Sequence, residues 1–270
     1  MDDAISVAVA GAAGRMGRTL VTGIAAHERL HLAAAADRPG APEAGEDAGR
    51  LAGVGDLGVT ISEDIGPALD AFDVLIDFTI PSAALRHVGL CAQASKAMVI
   101  GTTGFDAEGL ATIRKAAERI PILLSPNMSV GVNVTFMLVE QAARILGDDV
   151  DVEVFEAHHR HKIDAPSGTA VRMGEILAKA LGRDLTTDAV YGREGETGER
   201  ERRTIGFHSL RGGDIVGDHT VTFAGTGERL EITHRAGSRE NFAAGALRAV
   251  QFVHGREPGF YGMEDVLGLA

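Results

Sequence analysis

Val9-Ala10-Gly11-Ala12-Ala13-Gly14-Arg15-Met16-Gly17 is the stretch that decides the fold. Its glycines are spaced GxxGxxG, a variant of the GxGxxG dinucleotide fingerprint, which requires a strand before it and a helix after it. Ile5–Ala10 is a short apolar run and residues 16–27 have helical spacing, so both requirements are met. Gly11 would allow the tight turn out of the strand, Gly14 the approach of a pyrophosphate, and Gly17 close packing of the helix on the sheet. The helix N-terminus then supplies free N–H groups and a positive dipole end for the phosphates. A second apolar run, Leu32–Ala36, ends at Asp37, 20 residues after Gly17. An acid there would hydrogen-bond the adenosine ribose of NAD, and the adjacent Arg38 could pair with the 2′-phosphate of NADP. Together they predict tolerance of both cofactors. A glycine-rich βα turn that binds nothing is the plainer reading, and the strand, helix and placed acid together weigh against it.

Working outward, the first half keeps a βαβ rhythm. Strands are expected at Val74–Phe78, Met98–Ile100 and Ile122–Leu124, and helices over 82–94 and 106–119, with a loop over 39–58. This rhythm predicts a parallel sheet with helices on both faces. Gly101-Thr102-Thr103-Gly104 sits at the C-terminal end of one strand, the edge where ligands bind in open α/β sheets. Ser125-Pro126-Asn127-Met128 sits at the next, where the pattern changes, and reads as a hinge. Beyond it, helices are expected at Asn133–Leu146, 168–181 and 239–253. Val150–Phe155 alternates as a half-exposed strand, and 204–235 reads as antiparallel strands turning at Gly212-Gly213 and Gly225-Thr226-Gly227. The fold class is therefore α/β: a Rossmann-type parallel-sheet domain plus an α+β domain with a mostly antiparallel sheet.

Composition narrows the partners. The 270 residues carry a net charge of −12, and aromatics make up 4% with no Trp, which disfavours nucleic acid and an anionic membrane surface. No apolar run is long enough to span a bilayer, and the acidic start before the first apolar run argues against a secretory leader, so a cytoplasmic protein is expected. The single cysteine, Cys91, excludes an intrachain disulfide and any CxxC motif, and reads as a packed thiol. Glycine is abundant, 35 residues or about twice the usual share, without a collagen period, so it marks turns and close backbone approaches.

Against this acidic background stands Glu156-Ala157-His158-His159-Arg160-His161-Lys162. Three histidines suggest a metal, but no HExxH or second ligand group accompanies them and Arg and Lys repel a cation, so no metal is expected. An anion site with groups able to move protons fits better than a merely solvated charge run. Ser167 is a good N-cap for the 168–181 helix, and the N–H groups at Gly168 and Thr169, with the Thr169 hydroxyl, would form a carboxylate cradle. A helix N-terminus beside a basic cluster suits a substrate with more than one carboxylate.

EAHHRHKIDAPSGTA (156–170) resembles the signature of the 4-hydroxy-tetrahydrodipicolinate reductases, also called dihydrodipicolinate reductases, of the bacterial diaminopimelate and lysine pathway. GAAGRMGR, DFT at 77–79, GTTGF, SVGVN, YGREGETGER, GDIVGDHT and GERLEITHRA are also similar to this family, from the first strand nearly to the C-terminus. The resemblance implies a dinucleotide-binding domain of residues 1–127 completed by 239–270, and a substrate-binding and tetramerising domain of residues 128–238. It implies reduction of a small cyclic dicarboxylate by NADH or NADPH, with loss of water, in a homotetramer. By position, Gly11, Ala12, Ala13, Gly14, Arg15, Met16, Asp37, Gly101, Thr102, Thr103, Ser125, Pro126, Asn127 and Met128 would contact the cofactor. His158 would donate and accept a proton, Lys162 would be a second proton donor, and His159, Gly168 and Thr169 would hold the carboxylates. Met128 departs from the Phe that many members carry. Another nicotinamide-dependent dehydrogenase of similar build, or a dinucleotide sensor without catalysis, are the alternatives; a sensor would have no use for the histidine and lysine cluster.

Overall fold

The computed structural model describes residues 4–269; the acidic start at Asp2 and Asp3 lies outside them. In chain order the elements are β1 (Ile5–Ala10), α1 (Arg15–Ala25), β2 (Leu30–Ala36), α2 (Ala48–Ala52), β3 (Ile61–Ser62), β4 (Val74–Asp77), α3 (Pro81–Ala94), β5 (Ala97–Ile100), α4 (Ala107–Ala117), β6 (Pro121–Leu124) and α5 (Val130–Leu146). They continue with β7 (Asp151–His158), α6 (Gly168–Leu181), α7 (Leu185–Asp188), β8 (Ala189–Tyr191), β9 (Ile205–Arg211), β10 (Gly217–Ala224), β11 (Arg229–Ala236), α8 (Glu240–Val253), β12 (Gly259–Tyr261) and α9 (Met263–Leu267). The chain divides into two compact units: one up to Val130 and again from Arg239, the other Gly131–Ser238. Among the described residues, no helix is long and apolar enough to cross a membrane.

The first unit holds one parallel sheet of order β12-β6-β5-β4-β1-β2-β3, with the strand order reversing between β1 and β4. Its strands read as near-continuous apolar runs because both faces are covered. Successive residues of β1 point to opposite sides. Val7 and Val9 join Leu20 and Ile24 of α1 and Leu247 and Val250 of α8 in one core. Ala8 and Ala10 join Val88 and Cys91 of α3 and Ile113 of α4 in the other. Each fully buried Val, Leu or Ile contributes roughly 1.5–3 kcal/mol. Cys91 is fully buried, and burial pushes its thiol up to about 12, which makes it the inert packed group the sequence predicts.

Several short elements differ from the sequence reading. The 39–58 loop contains α2, nucleated by Asp47, whose carboxylate accepts from the Gly49 and Arg50 N–H groups at 2.9 Å. A five-residue helix set by its cap has no periodicity to betray it. β3, β12 and α9 were likewise too short to read, and Val74–Phe78 ends one residue early, at Asp77.

In the second unit the sheet order is β11-β10-β7-β9-β8. β10 runs antiparallel to β11 and β7, whereas β9 is parallel to both β7 and β8. The Gly225–Gly227 turn closes the β10–β11 hairpin as expected, with Gly225 N–H donating to the Glu228 carbonyl at 3.0 Å. Gly212-Gly213 closes no hairpin: β9 and β10 lie on opposite edges of β7. Alternation identifies a strand and its buried face but not its neighbour. The rows Ile205–Val152–Phe223 and Phe207–Val154–Val221 cross all three strands, and they pack on Val139 and Ala143 of α5 and Met173 and Leu177 of α6. α6 begins at Gly168 as predicted, with the Ser167 hydroxyl accepting from the Ala170 N–H.

Candidate active site

The glycine loop leaves β1 through Gly11, whose φ of +74° is a conformation that side chains rarely adopt. Gly14 is extended and precedes α1 with no side-chain cap, so the α1 N-terminus is not closed by its own chain. A Cβ on Gly17 would lie 2.1 Å from the Gly11 carbonyl oxygen and 2.6 Å from the Ala12 Cα, so only glycine lets α1 sit this close to the turn. Asp37, at the end of β2, accepts from the Ala13 N–H at 2.9 Å and, through its other oxygen, from the Arg38 N–H at 2.8 Å. It therefore braces the loop as well as facing the cavity, and each carboxylate oxygen keeps a second lone pair.

A cavity of about 920 Å³ opens here, walled by Ala13, Gly14, Asp37, Arg38, Arg86 and His87, with Gly11 at its end. Beside it, Arg15, Met16 and Gly17 share a smaller cavity of about 330 Å³ with Arg239 and Phe242. The left-handed glycine, the closely approached helix end and a cavity flanked by an acid and an arginine fit a dinucleotide. The sequence reading missed Arg86, His87, Arg239 and Phe242, which carry no motif.

The other predicted cofactor residues line neither cavity. Thr102 is buried, and its hydroxyl donates to Asp77 at 2.8 Å while accepting the Thr79 N–H. Asp77 is fully buried and also takes the Thr79 hydroxyl at 2.7 Å and His87 Nδ1 at 2.6 Å, so one carboxylate ties the 78–80 and 101–103 loops to α3. Gly101 gives room to the Phe78 ring, which a Cβ would meet at 2.1 Å. Thr103 is exposed. The Ser125 hydroxyl donates to the Asn127 carbonyl at 2.8 Å; Pro126 is exposed. Met128 is buried in the core with Val99, Leu123 and Ala246.

In the second unit, β7 runs three residues past its expected end and delivers His158 at its last position. His158 is buried, and its Nδ1 lies 2.6 Å from Glu156 Oε2. Burial lowers the pKa of the imidazole, and the opposing pull of Glu156 does not overcome it. Glu156 is itself buried; burial opposes its ionisation, but the Arg211 guanidinium, with Ser209 and His158, holds its carboxyl at about 2. The chain then turns, with the Lys162 N–H donating to the His159 carbonyl, and Lys162 Nζ pairs with Asp164 at 2.8 Å. His159 Nδ1 is buried without a protein partner, an orphaned polar atom that a ligand carboxylate would satisfy. Gly168 is exposed at the first position of α6 with open space around its Cα, and Thr169 follows it. Arg160 and His161 are exposed. Among the described residues, no group of histidines, cysteines and acids has metal-holding geometry.

His219 lies within GDIVGDHT, a stretch to which the sequence alone assigns no role. It sits on the buried face of β10, 2.9 Å from the Ser167 hydroxyl, with its ring edge-on to His158 at 5.1 Å. Burial pushes it down to about 3, so it is neutral. A histidine at an alternating core position of a strand was the signal available.

Family models described as dihydrodipicolinate reductase, N-terminus and C-terminus, match residues 5–128 and 131–267. The chain belongs to the dihydrodipicolinate reductase family. Relatives named 4-hydroxy-tetrahydrodipicolinate reductase from Pseudomonas fluorescens and Alkalilimnicola ehrlichii are 58% and 57% identical to it, each over 97% of this chain and 98% of the relative. A solved dihydrodipicolinate reductase from Paenisporosarcina sp. TG-14, described as dipicolinate-bound, matches with a TM-score of 0.78 at 26% identity, covering 97% of this chain and 99% of that one. The dihydrodipicolinate reductase N-terminal match contains both cavities' glycine walls, and the C-terminal match contains the whole 156–169 constellation.

Proposed function

We infer that this chain reduces 4-hydroxy-tetrahydrodipicolinate to tetrahydrodipicolinate with NADH or NADPH, consuming one proton and releasing water, in diaminopimelate and lysine biosynthesis. The observation that carries the reading is the convergence of His158, Lys162, the orphaned His159 Nδ1 and the Gly168 end of α6 within one short segment, in a chain whose other unit builds a dinucleotide cavity. When bound, the reduced nicotinamide supplies a hydride to the substrate ring. The chain's residues then manage charge and protons. His159, Gly168 and Thr169 hold the two carboxylates. Lys162 stabilises the negative charge that develops on the ring and donates a proton, and His158 exchanges the other. The glycine loop and α1 N-terminus receive the pyrophosphate. Asp37 receives the ribose hydroxyls of NADH, and exposed Arg38 the 2′-phosphate of NADPH.

The same reading takes the second unit as the homotetramer's interface and the cytoplasm as the place of work. The sheet face away from α5 and α6 supports the first, since Phe155 and Leu210 are each more than two-fifths exposed on it. No nucleic-acid or membrane partner is assigned to the acidic surface.

Dipicolinate, a stable planar dicarboxylate, tests the carboxylate assignment. Calorimetric titration should show it binding the intact protein, and His159→Ala should weaken that binding by roughly tenfold or more, the worth of one charge-assisted hydrogen bond. Equal affinity in the two proteins would place the carboxylates elsewhere.

A further inference from the structure

We infer that Glu156, clamped by Arg211, is a positioning residue that fixes the ring orientation and tautomer of His158 for proton exchange. The inference deepens the proposed function and rests on His158 acting as its proton donor and acceptor.

Glu156 and His158 are alternate residues of β7, so their side chains share one face of the sheet. Glu156 Oε2 lies 2.6 Å from His158 Nδ1. An ionised carboxylate only accepts, so Nδ1 carries the hydrogen and Nε2 is left bare. The structure keeps that nitrogen clear: a Cβ on Gly217 would lie 3.0 Å from His158 Nε2, and glycine at this position of β10 removes the obstruction.

The carboxylate is held independently of the histidine. Arg211, on the parallel strand β9, donates to both oxygens, at 2.8 Å and 2.7 Å, a fork geometry that fixes the plane of the group. The Ser167 N–H donates to Oε1 at 3.2 Å, tying the same carboxylate to the capping residue of α6. Glu156 therefore registers the histidine against the helix end that the substrate reading uses.

The groups facing His158 also set its charge. Glu156 on its own strand favours the imidazolium. Burial opposes it, as do Lys162 in the following turn and Arg211 on β9, and His219 on β10 meets the ring edge-on as a neutral neighbour. An unclamped carboxylate would trap a proton on the ring; the Arg211 counter-charge leaves an imidazole able to release and regain it.

The test is a set of pH profiles of kcat/KM for the wild type, Glu156→Gln, Arg211→Met, His158→Gln and the Glu156→Gln/His158→Gln pair. Removing the carboxylate should cost about 100-fold in kcat, the scale of lost acid–base catalysis, with little change in KM. It should also move the His158 limb to lower pH, whereas Arg211→Met should move it to higher pH. In the His158→Gln background, Glu156→Gln should cost nothing further. A full, multiplicative loss in that background, or limbs that do not move in opposite directions, would overturn the positioning role while leaving His158 in place. Near-normal turnover in His158→Gln alone would overturn the His158 reading, and this inference with it. If Glu156→Gln does not fold, the upward shift in Arg211→Met decides the matter: its presence supports the role and its absence rejects it.

Discussion

Gly17→Ala should bind neither NADH nor NADPH measurably, while the second unit keeps its fold. The added methyl would sit 2.1 Å from the Gly11 carbonyl oxygen and 2.6 Å from the Ala12 Cα, both backbone atoms that no rotamer change can clear. Either α1 lifts from the sheet or the turn at Gly11 opens. Lifting α1 pulls Leu20, Val21 and Ile24 out of the core they share with α8, and overpacking of this kind costs about 1–3 kcal/mol. Opening the turn breaks the Ala13 N–H bond to Asp37 and dismantles the wall of the larger cavity. Both routes remove the pyrophosphate site. Quenching of nucleotide fluorescence on titration measures the effect, and wild-type affinity in Gly17→Ala would mean that the dinucleotide is held without this loop.

Lys162→Ala should lower kcat by 10²–10⁴-fold, the range typical of a lost acid–base group, with dinucleotide affinity unchanged. The expectation of intact cofactor binding follows from the division of labour: the dinucleotide cavities are lined by the first unit alone, and Lys162 belongs to the second. Stability should change little, because the ion pair lost is with the largely exposed Asp164. Lys162→Arg separates charge from proton donation, since a guanidinium keeps the charge but does not release a proton at neutral pH. Single-turnover rates distinguish the cases; a near-normal rate in Lys162→Ala would remove the lysine from the chemistry.

Much of this was legible in the chain because the responsible signals are local. GxxGxxG between a strand and a helix, Asp37 at the following strand end, and Ser167 before an amphipathic stripe each specify a structure within about 20 residues of sequence. What escaped the sequence depends on pairing across distance. Glu156 and Arg211 meet only because β9 lies parallel to β7, and alternation did not tell that β9 and β10 flank β7 instead of each other. Asp77 and His87 meet through the packing of α3 on β4 and β5, so the part played by Thr102 in bracing loops was invisible beside its expected cofactor contact. The burial of Met128 in the core was equally invisible, because it is set by α8 returning from the far end of the chain. Asp37 shows the intermediate case: its place was predictable, and its bond to the loop it faces was not.

The most direct measurement is oxidation of reduced nicotinamide, followed at 340 nm, with enzymatically generated 4-hydroxy-tetrahydrodipicolinate and each cofactor in turn. The account predicts turnover with both NADH and NADPH, within a range that Asp37 and Arg38 side by side allow. Cofactor binding without oxidation, or a preference of several orders of magnitude for one nucleotide, would contradict it.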